Sequence, residues 1–413
     1  MNNNTDEQHV VHAIQRRRRA TVLTAISVGA FAANFLRLEH PLPLPMHTSI
    51  LSGKGWLDEI IHGHKERCLY QLGMYPSAFC LLCWELMSAG LTHGSIVFVP
   101  EKVAIFLYWM VHGSSQRELM ERFQHSGDTI SKYTNRVLGL VCGSFYRKYV
   151  RPPLDEPPEI IRDNPRYFPF FRHCRGAVDG VHIDAHVAAS DAIRYRDRKG
   201  AITQNVFAAC DFELRFTYIM AGWEGTAADA RLYHHARTMG FDLPDPEFFL
   251  ADAGFANCRL LMTPFPAVRY HLDEWRRGGR QPENAEELFN LRHAKLRNAV
   301  ERIFGVDKRR FRILTARPEC SYTAQAMIVC AAAALHNFLR VHEPLNHLQE
   351  GDEYTPNDHA FIRDPRPMPD HPAQAISTAE TRAANARRQA IADSMWIQYL
   401  EWREEEGLDS DLE

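Results

Sequence analysis

The stretch GAVDGVHIDAHV, residues 176–187, decides the fold. Its apolar alternation is that of a β-strand, and Asp179 shares one strand face with Val181 and Ile183. A carboxylate on an otherwise apolar face is costly unless it is paired or binds a metal. An aspartate bonded to backbone at a strand end is the simpler alternative. Two later stretches bear on the choice. EFFLADAGF, residues 247–255, is a short apolar strand running to Asp252, where turn chemistry before Ala253 and Gly254 is the competing explanation. HAKLRNAVERIFGVDKRRF, residues 293–311, is a helix carrying Glu301. Two strand-borne aspartates and one helical glutamate can converge on a pair of divalent cations, an arrangement suited to in-line attack on a phosphodiester.

Outward from these acids, QNVFAACD (204–211) and FTYIMAGW (216–223) flank the polar turn FELR and predict an antiparallel hairpin. Strands followed by helices, with acids at strand positions and on a late helix, fit a mixed α/β layer fold. On the helix, Asn290, His293, Arg297 and Glu301 recur at spacings of three, four and four and form one polar face. Leu296, Val300 and Phe304 lie toward the other side, where they can pack on a sheet. The polar face could be solvated, with an Arg297–Glu301 ion pair. Alternatively, His293 and Arg297 could orient Glu301 or meet phosphate. Asp229 follows Thr226 by three residues at a helix start. A capping interaction is its simplest role and a further metal ligand the alternative.

The N-terminal third is helical in pattern. SSQRELMERFQHSGDTISKYTNRVLGLVCG, residues 114–143, predicts two helices around a short turn, with Leu119, Phe123, Ile130, Tyr133 and Val137 as an apolar seam. This is helix-turn-helix spacing. It leaves Thr129, Ser131, Lys132 and Asn135 on the exposed face for DNA contact, unless the pair is a plain helical hairpin. RPPLDEPPEIIRDNPR (151–166) marks a boundary. The expected organisation is a basic and apolar segment (1–50), a helical domain (51–150), a catalytic α/β domain (167–341), and an acidic linker with a final helix (342–413). Arg16 to Arg19 precede the apolar run 20–36. A helix packed on its own protein is expected there rather than a membrane anchor, because the run is short and contains Thr, Ser and Asn.

Composition sets outer bounds. With 413 residues, 45% hydrophobic and 24% charged, the chain is long enough for two to three ordinary cores. A net charge of -3 argues against a wholly basic nucleic-acid binder, so local charge matters more. Residues 295–312 hold seven Lys or Arg against two acids, and residues 343–370 hold seven acids against two Arg. Nine cysteines include one CxxC, Cys80 and Cys83, inside an apolar helical run; a zinc site would need a second pair.

At the acids the chain resembles the PIF/Harbinger superfamily of DNA transposases, including the Harbinger-derived nuclease-like proteins. The resemblance is carried by AVDGVHI (177–183), GWEGTAAD (222–229), DAGF (252–255) and NLRHAKLRNAVERIFGVDKRRFRIL (290–314), with FQHSGDTIS (123–131) similar to the family's helix-turn-helix segment. It covers roughly residues 50–340; the tail helix with Met395, Trp396 and Tyr399 is less diagnostic. The resemblance implies an RNase H-like domain preceded by a helical domain with a helix-turn-helix, and an Asp-Asp-Glu nuclease site. Asp179, Asp252 and Glu301 would be its catalytic acids, holding two Mg²⁺ (or Mn²⁺) ions with Asp229 as a further ligand. The family's usual His before that acid is Ala228 here. Also implied are double-stranded DNA with terminal inverted repeats as substrate, a Myb-like accessory protein, a possible homo-oligomer and nuclear localisation. Arg297, Lys308, Arg309, Arg310 and Arg312 are the candidates for phosphate contact, which would fix position rather than sequence. A domesticated DNA- or partner-binding protein without cleavage activity is the second possibility.

Overall fold

Residues 174–184 form the middle strand of a sheet, buried along their first half and partly open along the second, and the rest of the layer order follows from which neighbours its two faces accept. The computed structural model describes residues 3–39, 45–269, 281–343 and 376–406. They fall into two compact units, residues 1–50 and residues 51–413. In the first, α1 (Asn3–Glu39) is one long helix, and its side chains from residue 12 to residue 34 are exposed, including Val22, Leu23, Ile26 and Phe31.

The second unit begins with α2 (Gly53–His62), α3 (Lys65–Leu72), α4 (Pro76–Ser88) and α5 (Val99–His112). Pro in the first turn starts α4 and α5, where the missing N–H is no loss. Gly73 and Gly113 end α3 and α5 in the left-handed conformation. Helix α5 is buried on nearly every side. The pair α6 (Gln116–Phe123) and α7 (Gly127–Leu140) follows. Ser115 and Glu118 form a capping box on α6, and Ser126 caps α7. Leu119, Phe123, Ile130 and Val137 are buried as expected, whereas Tyr133 is only half-buried, with Lys102 Nζ 4.4 Å from its ring centroid.

Short helices α8 (Tyr146–Tyr149) and α9 (Glu159–Arg162) lead to β1 (Cys174–Asp184); α10 (Ala192–Tyr195) precedes β2 (Thr203–Cys210) and β3 (Phe216–Glu224). After α11 (Asp229–Thr238) come β4 (Phe248–Leu250), β5 (Leu261–Met262), α12 (Ala285–Arg310), α13 (Tyr322–His342) and α14 (Thr378–Glu405). The sheet order is β3-β2-β1-β4-β5. β1, β2 and β3 pair antiparallel, with Asp179 opposite Ala208, while β4 and β5 continue parallel to β1. The expected hairpin is β2–β3. This mixed five-stranded sheet among helices is consistent with an RNase H-like domain.

Alternation along the strands divides the core. Ala177, Ile183, Val206 and Ala208 join the apolar side chains of α12 and α13 on one face. Val178, Phe207 and Ala209 join Leu232, Tyr233 and Ala236 of α11 on the other. The helical part and the sheet share the first of these cores, so the Pro-rich stretch 151–166 does not divide the unit. Phe145 and Tyr149 lie against Phe338 of α13, with ring centroids 5.6 and 5.3 Å away. Asn337 of α13 ties the same region to β3: its side chain accepts from Phe216 N and donates to Tyr149 O and Phe216 O. Helix α13 is also the one described helix long and apolar enough to cross a membrane, and it is mostly buried in this core. The acidic linker lies largely outside the described residues, but α14 is packed in place. Arg388 donates to Thr263 O (3.0 Å) and Pro264 O (2.8 Å), and Arg387 to Cys258 O and Arg259 O, so the tail helix covers the β4–β5 end. All nine cysteines are free thiols; Cys80 is exposed and Cys83 buried.

Candidate active site

Asp179 sits at the middle of the central strand. Strand alternation turns it, with Ala177, toward the α12 layer. Its Oδ1 accepts from Gly180 N at 2.9 Å, and its Oδ2 lies 3.4 Å from Arg297 Nη1. The other terminal nitrogen of Arg297 reaches Glu301 Oε1 at 2.5 Å, one turn along α12. One guanidinium thus links the first and third acids of the expected site. Burial pushes the Asp179 carboxyl up to about 7. Arg297 and the Gly180 N–H oppose this, while Asp252 and Glu301 add to it through like charge. The like charge of Asp252 and Glu301 thus reaches Asp179. Asp252 is half-buried just beyond the end of β4, and Glu301 is exposed.

Asp229 approaches from the other layer. It opens α11 after Ala228, which has no side chain to cap with. The capping role with Thr226 is not observed, because the Thr226 hydroxyl bonds Arg194 O at 2.9 Å instead. A Cβ at position 180 would lie 2.2 Å from Asp229 Oδ1, so the Asp-Gly pair is needed for this carboxylate to lie against β1. Gly180 alternates with Asp179, so Asp229 lies on the α11 side of the strand and not beside the Arg297 bridge. Burial raises its carboxyl; Asn205 and His182 oppose the rise, and Asp252 adds to it. Asp252 therefore influences both sides of β1. Among the described residues no group of three or more His, Cys, Asp or Glu side chains is arranged to hold a metal ion. The expected four-ligand cage is not assembled as such. Arg297 lies between Asp179 and Glu301, and β1 separates Asp179 from Asp229. The donor chemistry still fits a hard divalent cation. The acids offer carboxylate oxygens only, and the two raised ones are held up by burial and repulsion that a cation would offset.

The polar face of α12 is not solvated at its N-terminal half. Asn290 is fully buried; it accepts from Phe265 N at 2.8 Å and donates to Phe265 O at 3.1 Å, as a strand neighbour would. His293 is also fully buried, with Nε2 2.9 Å from Met262 O. Burial pushes the ring down to about 3, so it is neutral and donates through Nε2. Neither role for His293 suggested by the sequence fits: it cannot meet phosphate, and it touches backbone, not Glu301. Together Asn290 and His293 tie α12 to the segment that continues β5. The spacing of the two residues was visible in the sequence, but the strand end they bond to was not.

The basic run is likewise divided by the helix. Lys308 turns back to β1, with Nζ 3.1 Å from His182 O. Arg310 is buried, its Cγ facing Gly73, and so is not placed for phosphate. Arg309 and Arg312 are exposed. On α7, Ser131, Lys132 and Asn135 are exposed, while Thr129 is half-buried with its hydroxyl 3.0 Å from Ser126 Oγ. Ser131 and Asn135 line a cavity of about 380 Å³ whose far wall is the loop from Ala316 to Cys320.

These geometries give weight to a comparison with known families. Residues 178–337 match the DDE superfamily endonucleases. That match starts one residue before Asp179 and spans Asp229, Asp252 and Glu301, and it supports a DDE transposase-like nuclease acting on DNA. Residues 48–143 match a domain of unknown function, DUF8040, which covers α2 to α7. No curated protein and no solved structure matches the chain.

Proposed function

We propose that this chain is a transposase of the PIF/Harbinger kind, which cuts and joins DNA at transposon ends. The observation that carries the proposal is that one guanidinium links Asp179 of β1 to Glu301 of α12, with Asp252, just beyond β4, adding its like charge to Asp179, all within the DDE endonuclease match. In this reading the three acids hold Mg²⁺ or Mn²⁺, with Asp229 adjoining. Such ions supply Lewis-acid stabilisation to the attacking and leaving oxygens of an in-line displacement. The chain's own residues prepare the site. Asn290 and His293 fix the height of α12 against the sheet, and so the position of Glu301 relative to Asp179. Arg297 holds the two carboxylates together and is the cation nearest an entering phosphate. Burial raises the Asp179 carboxyl to about 7, and a bound divalent cation would favour its charged form. Exposed Arg309 and Arg312, with Lys132, Ser131 and Asn135 of α7, are the proposed backbone contacts. Nuclear localisation, a Myb-like accessory protein and a homo-oligomer belong to the same reading.

Incubation of the protein with duplexes carrying the element's terminal repeats tests it. Metal-dependent cleavage and strand-transfer products are expected with Mg²⁺ or Mn²⁺ and should vanish with chelator. One observation favours a second reading, a DNA- or partner-binding descendant without cleavage: Arg297 already neutralises Asp179 and Glu301. Tight, salt-sensitive DNA binding with no product under any divalent ion would select it.

A further inference from the structure

On the side of α12 away from Arg297 and Glu301, a cleft of about 600 Å³ opens between the turn at residues 164–167, α12 and the tail helix α14. Its walls carry Arg166, Arg292 and Lys295, and no carboxylate lines it among the described residues. Arg292 is 7% exposed, yet its Nη1 has no hydrogen-bond partner, and its guanidinium lies 5.6 Å from the Phe170 ring centroid. A buried cation without a counter-charge is expensive, and a protein that gains nothing from it would be more stable with an apolar residue there. Burial, with Arg166 close by, pulls the guanidinium down to about 10, and burial also lowers Lys295, with Arg166 and Arg292 adding to it. The three cations therefore repel one another across a cleft in which an anion would relieve them.

The opposite wall is aromatic. Tyr399 and Trp402 of α14 stack with centroids 5.8 Å apart and planes at 26°. The Tyr399 hydroxyl is held by Gln281 Oε1, and Trp402 remains 38% exposed. Cations on one side and, on the other, an accessible Trp402 ring backed by the buried Tyr399 match the two parts of a nucleotide, its phosphate and its base. A duplex keeps its bases stacked inside, so the ring pair suits an unpaired strand.

We infer that this cleft is a second nucleic-acid site, which takes a single-stranded DNA segment with a phosphodiester on Arg292, Lys295 and Arg166 and a base on Trp402, backed by Tyr399. The choice of DNA rests on the nuclease reading; the phosphate-and-base chemistry rests on the cleft alone. The site gives the tail helix a role beyond packing, that of supplying a stacking wall for a strand separated from its partner near the acids.

The experiment measures binding of a labelled oligothymidylate to the full chain without divalent metal, over a range of salt. The variants are Lys295→Gln with Trp402→Ala, both at exposed positions, and separately Arg292→Met, which keeps side-chain bulk and removes the buried charge. The double variant is expected to bind about tenfold more weakly, with a salt slope smaller by about one. Arg292→Met should lose affinity while melting at the same or a higher temperature. Unchanged affinity and slope in the folded double variant would overturn the proposal, as would polyglutamate binding more tightly than the oligonucleotide with the same dependence on these residues. The two readings fail separately. Metal-dependent cleavage with an inert cleft removes this site alone, and cleft-dependent binding without cleavage removes the nuclease alone.

Discussion

In the N-terminal half of α12, Asn290 and His293 are fully buried and bonded to the backbone of Phe265 and Met262. Farther along the same polar stripe, Arg297 and Glu301 face Asp179 instead, and Glu301 is open to solvent. The spacing is continuous, but the surroundings change from a strand end to a cluster of acids. The first half needs neutral groups with matched donors and acceptors, since an unmatched polar atom there costs the full desolvation penalty. The second half carries charge, and its groups are held together by opposite charge at partly wet positions. One helix thus combines a fastening and a reactive end, and the fastening sets where the reactive end lies.

The largest expected effect falls on the reactive end. Asp179→Asn should lower DNA cleavage about a thousandfold or more, since several kcal/mol of metal-borne stabilisation would be lost. Circular dichroism and melting should show an intact fold, and an active Asp179→Asn protein would break the assignment. Glu301→Gln comes next. Val300 and Phe304 still seat the helix, so folding should survive while cleavage falls about a hundredfold or more, because an amide is a poor substitute for a carboxylate on Mg²⁺. DNA binding without metal should persist. Full cleavage with a slightly lowered melting temperature would mean that Glu301 serves only its ion pair with Arg297.

The fastening end is expected to show up in stability. Asn290→Leu leaves the Phe265 N–H and C=O unpaired at about 1–3 kcal/mol each, read by denaturant unfolding. Cleavage should fall with it, while affinity for DNA at a temperature where the variant is folded should not. Loss of affinity in step with stability would show that the two halves are not separable. A pH series sharpens the contrast further. The Asp179 carboxyl stands near 7 when folded and near 3.8 when unfolded, so between those values the folded state binds more protons. Stability should therefore decrease as pH rises from about 4 to about 7, and Asp179→Asn should remove that part of the slope. Conversely, the neutral His293 lies below its unfolded value; its contribution favours folding above about 6.5 and is lost as pH falls toward about 3.

Much of this was legible from residue order. Apolar alternation marked β1, and two apolar runs around the polar FELR turn marked the β2–β3 hairpin. The spacing of Asn290, His293, Arg297 and Glu301 marked a helix with one polar face. Other features depended on partners distant in the chain. Arg310 and Lys308 belong to one basic run, yet α12 turns the first into the core and the second back to β1, so a run of like residues was not a surface patch. Asp229 looked like a capped helix start or a shared ligand, but its position is set by the space left at Gly180 across the sheet.

By itself the sequence determined the strand and helix types, because local periodicity decides which face of a segment can be buried. It also determined the supply of carboxylates, which are read off residue by residue. Only the tertiary structure decided that Asp179 and Asp229 lie on opposite sides of β1, that one arginine joins Asp179 to Glu301, and that the tail helix closes the β4–β5 end and walls a basic cleft. Those facts depend on contacts between segments far apart in the chain. Burial, counter-charge and free space are properties of the assembled layers that no single stretch of residues contains.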